Sequence, residues 1–118
     1  METLEPVYHS ELWRIKKVAQ TQYEYEYICE QVKAGMMEFW RVADCYFVTC
    51  LEMPQNELVM VCCEGSGVKQ VMDSVRYVAA SNNYKTIRIH AFDVGMKRLL
   101  TTSGYDWKQA ETVYRLEV

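Results

Sequence analysis

The sequence predicts an α/β (α+β) fold in which helices cover a mixed central sheet of about five strands, in the order α-α-β-β-β-α-β-α-β. Three observations predict it. Apolar residues recur at helical spacing early in the chain, three short strand-like runs follow, and a strand, a glycine turn and an amphipathic helix then precede another strand. Antiparallel neighbours followed by a strand–helix–strand unit make a mixed sheet.

Composition indicates a single domain, residues 1–118, because half of the 118 residues are hydrophobic and can form one substantial core. The formal net charge is −3 with both signs interspersed, so duplex nucleic acid is not an expected partner. No apolar run approaches the roughly 20 residues of a membrane span, and the first residues lack a secretion signal. We expect a soluble, cytoplasmic protein without a membrane partner.

The cysteines are typical of reduced, buried thiols, since their number is odd and four of the five lie in strand-like apolar runs. Zinc would require paired ligands. Cys62 and Cys63 are adjacent and should point to opposite faces of a strand, while His9 and His90 each stand alone. No metal site is therefore expected.

Two helices are predicted first. Ser10 is a good N-cap for apolar residues at helical spacing, namely Leu12, Ile15, Val18 and Ala19. The second helix spans about 21–34 and ends at Gly35. Its residues 23–27 also fit a two-residue period, which keeps a strand open as an alternative.

Residues 36–42, 45–53 and 58–63 are rich in aromatic, β-branched and sulfur side chains, and brief turns separate them. Such short connections predict an antiparallel meander of three strands. The third run has no polar face, which indicates a strand buried on both sides. Strict alternation would place Cys62 on the face of Leu58 and Met60, and Cys63 on the other face with Val59 and Val61.

The turn 64–67 and a helix from about Val68 to residues 81–83 follow this strand. Free backbone N–H groups at a helix start attract anions, so the turn is a candidate phosphate site. A plain tight turn is the alternative. The dinucleotide fingerprint would require glycine at Gln70, and a P-loop would require a longer loop ending in Gly-Lys.

The rest of the chain is predicted to form a strand at 86–92, a short helix and a last strand at about 111–118. Asp93 can cap the short helix, which carries Met96, Leu99 and Leu100 and ends at Gly104.

This order of elements, with a glycine turn between the third strand and the third helix and the pair Gly104-Tyr105 near the end, resembles the GNAT superfamily of acyl-CoA-dependent N-acyltransferases. The segments that carry the resemblance are 58–67, 85–90 and 99–105. It is similar in particular to the short GNAT-like proteins of bacteriophages, which implies either a host-cell or a virion-associated location.

The resemblance implies a coenzyme A or acetyl-CoA cofactor. Backbone N–H groups of Gly65, Ser66, Gly67 and Val68 would face its pyrophosphate. The strand before the turn would line the pantetheine arm in a cleft between two parting strands, with N–H groups from Val61, Cys62 and Cys63 polarising the thioester carbonyl. Direct attack by an amine would then complete the acyl transfer.

Three departures from the family pattern are visible. The turn is short and lacks the family's usual basic residue, and Glu64 lies where phosphate would approach. The position of the family's tyrosine general acid is Leu100, which cannot transfer a proton. No motif identifies the base, for which Glu57 and His90 are the candidates; for His90 a structural role is the alternative.

The departures leave three functions open: an N-acyltransferase with a shortened or degenerate coenzyme A loop, a non-catalytic GNAT-like module that binds a protein partner, and a module that binds another anionic ligand. Tyr23, Tyr25 and Tyr27 either line an acceptor pocket, pack a helix on the sheet or form a dimer contact. The sequence does not determine the oligomeric state, the acceptor amine or the protein partner.

Overall fold

A computed structural model describes residues 3–90, 100, 104–105, 107–110 and 113–118 of the chain. Within these residues a mixed seven-stranded sheet has the order β1-β2-β3-β4-β5-β7-β6. Its strands are β1 (Glu5–Pro6), β2 (Glu38–Val42), β3 (Cys45–Glu52), β4 (Glu57–Glu64), β5 (Thr86–His90), β6 (Lys108–Ala110) and β7 (Val113–Glu117). The α+β fold and all five predicted strands are confirmed, and two short strands are added at the edges.

The first helical segment, His9–Val18, is a 3₁₀ helix and not the predicted α-helix. Its buried residues Leu12 and Ile15 are three positions apart, a spacing that places both on one face of a helix with three residues per turn. The predicted cap is also wrong. Tyr8 occupies the N-cap position, and no side chain caps the helix.

Helix α1 (Gln22–Lys33) confirms the second predicted helix and excludes the strand alternative for residues 23–27. Thr21 is its N-cap, because the hydroxyl of Thr21 accepts a hydrogen bond from the N–H of Glu24 at 3.0 Å. Gly35 follows the helix with a φ of 79°. A positive φ of this kind ends a helix, which is the role predicted for Gly35.

The predicted meander and crossover are both present. Strands β2, β3 and β4 pair antiparallel in sequence order, and helix α2 (Val68–Ser81) then connects β4 to its parallel neighbour β5. Strand β7 pairs antiparallel with β5, so the parallel pair β4–β5 lies inside the sheet. The predicted helix that begins at Asp93 lies almost entirely outside the described residues, although Leu100 is helical.

The sheet separates two buried cores. We call the first the α2-side core; its fully buried members include Phe47, Met60, Met72, Val75, Ile87 and Leu100. The second, the α1-side core, joins the 3₁₀ helix and α1 to the opposite face through Ile15, Ile28, Val32, Phe39, Val48 and Cys62. Both faces of β4 are thus covered, as its uninterrupted apolar sequence predicts.

A β-bulge interrupts the alternation of β4. Val48 of β3 pairs with Cys62 and Thr49 pairs with Met60, which leaves Val61 without a partner on β3. Val61 and Cys62 therefore both pack on the α1-side core, and Cys63 packs on the α2-side core. The predicted assignment of Cys62 to the face of Met60 is wrong, because the extra residue shifts every later side chain by one position.

No helix in the described part of the chain is long and apolar enough to cross a membrane.

Candidate functional site

The turn between β4 and α2 consists of Glu64, Gly65, Ser66 and Gly67, and both glycines have positive φ, 124° and 82° respectively. Gly67 is the N-cap residue of α2. Among the described residues, the backbone N–H groups of Gly65, Ser66 and Gly67 donate no hydrogen bond. Together with the first N–H groups of the helix, they form a row of donors that can bind an anion.

The same turn is packed tightly against the connection between β2 and β3. A Cβ atom on Gly65 would lie 2.5 Å from the carbonyl oxygen of Asp44 and 2.9 Å from the Cα atom of Cys45. The hydroxyl of Ser66 donates to the carboxylate of Asp44 at 2.6 Å, and the thiol of Cys45 donates to the carbonyl of Ser66. Glycine at position 65 is therefore required by the fold itself, with or without a ligand.

The acidic side chains around the turn oppose the binding of an anion by its backbone donors. Glu64 ends β4 beside the turn, and the carboxylate of Asp44 contacts Ser66. Lys69, in the first turn of α2, forms an ion pair with Asp73 at 3.1 Å. An anion at this turn would meet the carboxylate of Asp44 and lie next to a second acidic residue in the chain, and the nearest lysine along the chain already has a partner.

The described pairing of the parallel strands β4 and β5 ends before the turn. Their pairing runs from Glu57–Thr86 to Met60–Ile89, whereas β4 continues to Glu64 along β3. Among the described residues, the pairing with β5 therefore ends one residue before Val61, the bulged residue. Among the described residues, β4 from Val61 to Glu64 has no partner on β5; we call this end of the β4–β5 pair, which leads to the glycine turn, the strand opening.

The thiols of Cys62 and Cys63, beside the strand opening, have raised pKa values, which disfavour the nucleophilic thiolate. Burial raises the pKa of the Cys62 thiol to about 12. The pKa of the Cys63 thiol is also well above its usual value, first through a hydrogen bond to Cys45 and then through burial. All five cysteines are free thiols, and within the described residues no three potential metal ligands lie together.

Glu57 lies at the start of β4, at the end of the strand remote from the turn. It is only 2% exposed. Its carboxylate accepts a hydrogen bond from the hydroxyl of Thr86 at 2.7 Å and pairs with Arg88 at 3.2 Å. Arg88 also pairs with Glu52 at 2.6 Å. Val61 is four residues further along, a distance of roughly 13 Å in an extended strand, so the base role of Glu57 stays a prediction.

His90 is the last residue of β5 and lies opposite Val113 of β7. The last β4–β5 pair among the described residues is Met60–Ile89, so the backbone of His90 lies one residue beyond it. Of the two predicted bases, His90 is the one at the opening, and its role also stays a prediction.

Leu100 is 1% exposed and belongs to the α2-side core. The neighbouring tyrosine, Tyr105, donates a hydrogen bond from its hydroxyl to the carboxylate of Asp73 on α2. This bond is the main cause that lowers the pKa of Asp73 and raises the pKa of Tyr105. Sequence analysis missed the pair because the two residues are 32 positions apart and no motif links them.

The three tyrosines of α1 have different environments. Tyr25 packs on the α1-side core, whereas Tyr23 and Tyr27 are 79% and 47% exposed. Packing of the helix therefore accounts for Tyr25 alone.

Comparison with known proteins identifies the fold of the chain. No protein-family model matches this chain, and no curated protein sequence matches it. Solved structures do match over almost its whole length. An acetyltransferase from Bacillus subtilis in complex with CoA has a TM-score of 0.68 at 12% identity, covering 98% of this chain and 96% of its own. The chain has the GNAT acetyltransferase fold.

Two further structures support that assignment. An acetyltransferase of the GNAT family from Staphylococcus aureus Mu50 has a TM-score of 0.68 at 10% identity, and the match covers 99% of both chains. A mutant of the toxin AtaT, bound to the C-terminus of its antitoxin AtaR and to acetyl-CoA, has a TM-score of 0.62 at 11% identity, covering 99% of this chain and 93% of its own. Identities this low establish the fold alone.

Proposed function

We propose that this chain binds acyl-CoA in the opening between β4 and β5 and transfers the acyl group to an amine. One observation carries the proposal: the described parallel pairing of β4 with β5 ends at Met60–Ile89, and β4 then leads directly into a glycine turn with free N–H groups at the start of α2. Structures of the same fold have been solved with CoA and with acetyl-CoA. The strand opening and the donor row suit the two parts of that cofactor, a slender arm and a pyrophosphate.

The roles of the residues follow from their positions. The N–H groups of Gly65, Ser66, Gly67 and Val68 would hold the pyrophosphate, and β4 from Val61 to Cys63 would direct the arm and polarise the acyl carbonyl. The cofactor supplies an activated acyl thioester. Positioning is the main catalytic contribution of this chain, because Leu100 cannot donate a proton to the leaving sulfur.

A second function is favoured by specific observations. Leu100 is a core residue, and two carboxylates flank the turn. A GNAT-like module that retains the fold and binds a protein partner without catalysis would tolerate both features. A structural neighbour, the toxin AtaT, has been solved with a protein partner. Origin in a bacteriophage, with a virion or host partner, stays a prediction.

The first experiment is a titration of the purified protein with acetyl-CoA and with CoA, by calorimetry and thermal shift. A ligand present at 100 times its Kd that binds the native state alone should stabilise the fold by about 2.7 kcal/mol. Absence of heat and of a thermal shift at millimolar ligand would overturn the proposal for both cofactors.

A matched pair of variants locates the site. Gly67→Asp adds a carboxylate beside the proposed pyrophosphate, so binding should fall at least about tenfold. Gly35→Asp is the control, because Gly35 has a similar φ of 79° and a new Cβ would meet nothing within 4 Å. Equal loss of affinity in both variants would place the ligand elsewhere.

A turnover assay distinguishes the acyltransferase from the non-catalytic module. Release of free CoA thiol is measured with acetyl-CoA and a panel of small amines and lysine peptides. Thiol release that depends on the amine supports the acyltransferase. Binding without any such release selects the non-catalytic module instead.

A further inference from the structure

A second cleft lies at the opposite end of α2 from the glycine turn. Its volume is about 280 Å³. Its walls come from β2, the last residues of β3, the first residues of β4, the final turn of α2 and the connections before β2 and after α2. They include Trp40, Leu58, Val78 and Tyr84. Such an apolar, partly aromatic cleft is close to the size of known small-molecule sites.

Among the described residues, Glu38 is the sole carboxylate that lines the cleft, and no lysine or arginine lines it. In the described part of the chain, Glu38 forms neither an ion pair nor a side-chain hydrogen bond. Val78 lies in the last turn of α2, where the helix dipole adds partial negative charge. The electrostatics of the cleft therefore favour a cation.

The orientation of the Trp40 ring is held by its indole N–H, which donates to the hydroxyl of Thr49 at 3.0 Å. Thr49 is buried and lies on the neighbouring strand, so this wall of the cleft is already organised. A rigid aromatic wall reduces the entropy lost on binding.

Cations already stack on aromatic rings elsewhere in the molecule. The guanidinium of Arg14 lies 4.5 Å from the ring centre of Trp13 and 4.6 Å from that of Tyr46. Among the described residues, the rings of Trp40 and Tyr84 have no such partner. An aromatic wall without a cation beside an unpaired carboxylate is complementary to an organic ammonium ion.

The geometry points to a binding site for a small organic ammonium ion with an apolar body, seated between Trp40, Tyr84 and Glu38. This site is distinct from the proposed acyl-CoA site. Leu58, which lines the cleft, precedes Val61 by three residues, roughly 10 Å along the strand. In addition, the cleft adjoins the side of β4 that pairs with β3, whereas the strand opening is on the side that pairs with β5. The inference therefore does not depend on acyl transfer.

The test compares two probes of nearly identical shape, 2-phenylethylammonium and the neutral 2-phenylethanol. Binding is followed at neutral pH through the NMR signal of the Trp40 indole N–H, with Trp13 and Trp107 as internal references. We expect the Trp40 signal to move and the cation to bind at least about fivefold more tightly than the alcohol. Equal affinities, or no movement of the Trp40 signal at about 10 mM cation, would overturn the inference.

Glu38→Gln removes the charge and keeps the size of the side chain. It should reduce the affinity for the cation to that for the alcohol and leave the affinity for the alcohol unchanged. Glu26→Gln, an exposed change on α1 outside the cleft, is the matched control and should alter neither. An unchanged preference for the cation in Glu38→Gln would also contradict the site.

Discussion

Gly65 and Gly67 are two positions apart, and different physical constraints act on them. A Cβ at position 65 would meet backbone atoms of Asp44 and Cys45, which cannot move without displacing the β2–β3 connection. A Cβ at position 67 would meet only the end of the Gln70 side chain at 3.0 Å, which can rotate away. The first glycine is therefore a packing requirement, and the second is mainly a conformational one.

We predict that Gly65→Ala lowers the free energy of unfolding by about 2–4 kcal/mol, through backbone strain and overpacking together. Gly35→Ala, which also has a positive φ but open space around its Cβ, should lose only about 1 kcal/mol. Urea unfolding of both variants measures the difference. Similar losses would show that the contact with Asp44 contributes little.

Glu64 supplies a functional prediction at the same scale. Removal of its charge in Glu64→Gln should tighten CoA binding by about two- to tenfold at low salt, because a carboxylate no longer faces the pyrophosphate. The gain should shrink as salt is added, owing to screening. Calorimetry at two ionic strengths checks both statements. Unchanged affinity would mean that the phosphates lie away from Glu64.

At the scale of elements, β4 combines two irregularities that act together. The bulge at Val61 turns the strand away from strict alternation, and the parallel pairing with β5 ends at the preceding residue. A bulge bends and twists its strand, so it offers a physical reason for the described pairing with β5 to end here while the pairing with β3 continues. The opening is thus a property of two strands and of no single side chain.

Helix α2 is tied to the C-terminal part of the chain by the bond from Tyr105 to Asp73. This bond, with the ion pair to Lys69, lowers the pKa of Asp73. A carboxyl whose pKa is depressed by folding stabilises the protein above its unfolded pKa of about 3.9, and this stabilisation is lost as pH falls through the lower folded value.

Tyr105→Phe should therefore raise the pKa of Asp73 toward its usual value, while the ion pair with Lys69 still lowers it in part. Titration of the Asp73 carboxyl carbon by NMR measures the change. The variant should also lose less stability than the parent protein between about pH 4 and pH 2. An unaltered titration of Asp73 would show that the hydrogen bond is not formed in solution.

At the scale of the whole molecule, the two cores share the strands β3 and β4. Phe47 and Val48 are neighbours in β3, yet the first belongs to the α2-side core and the second to the α1-side core. If either core unfolded and β3 and β4 left the sheet, the buried side chains of the other core would become exposed as well. We expect both to unfold in one cooperative step, as a single domain should.

This expectation is tested with one truncation in each core. Phe47→Ala should cost about 3–5 kcal/mol and Ile28→Ala about 2–5 kcal/mol, since both side chains are fully buried. In each variant, urea transitions followed by far-UV circular dichroism and by tryptophan fluorescence should coincide. Separate transitions for the two probes would mean that the α1-side core unfolds independently.

Local patterns in the sequence were sufficient to predict much of this architecture. Residues 58–63 are uninterruptedly apolar, Gly35 can end a helix, and the apolar spacing that begins at Val68 is helical. These signals act over a few residues and identified β4, α1 and α2. The 3₁₀ helix was mistaken for an α-helix because Leu12 and Ile15 suit both periods. The edge strands β1 and β6 have two and three residues, too few for any periodic signal.

The sequence by itself determined the order of α1, α2 and five of the strands, the burial of β4 on both faces and the position of a glycine turn before a helix, because hydrophobic periodicity and turn chemistry are local properties. Only the tertiary structure decided the bulge at Val61, the packing of Gly65 on Asp44, the pairing of Glu57 with Arg88 and the cleft around Trp40. Each of these depends on contacts between residues far apart in the chain. Such contacts leave no periodic trace in a single sequence.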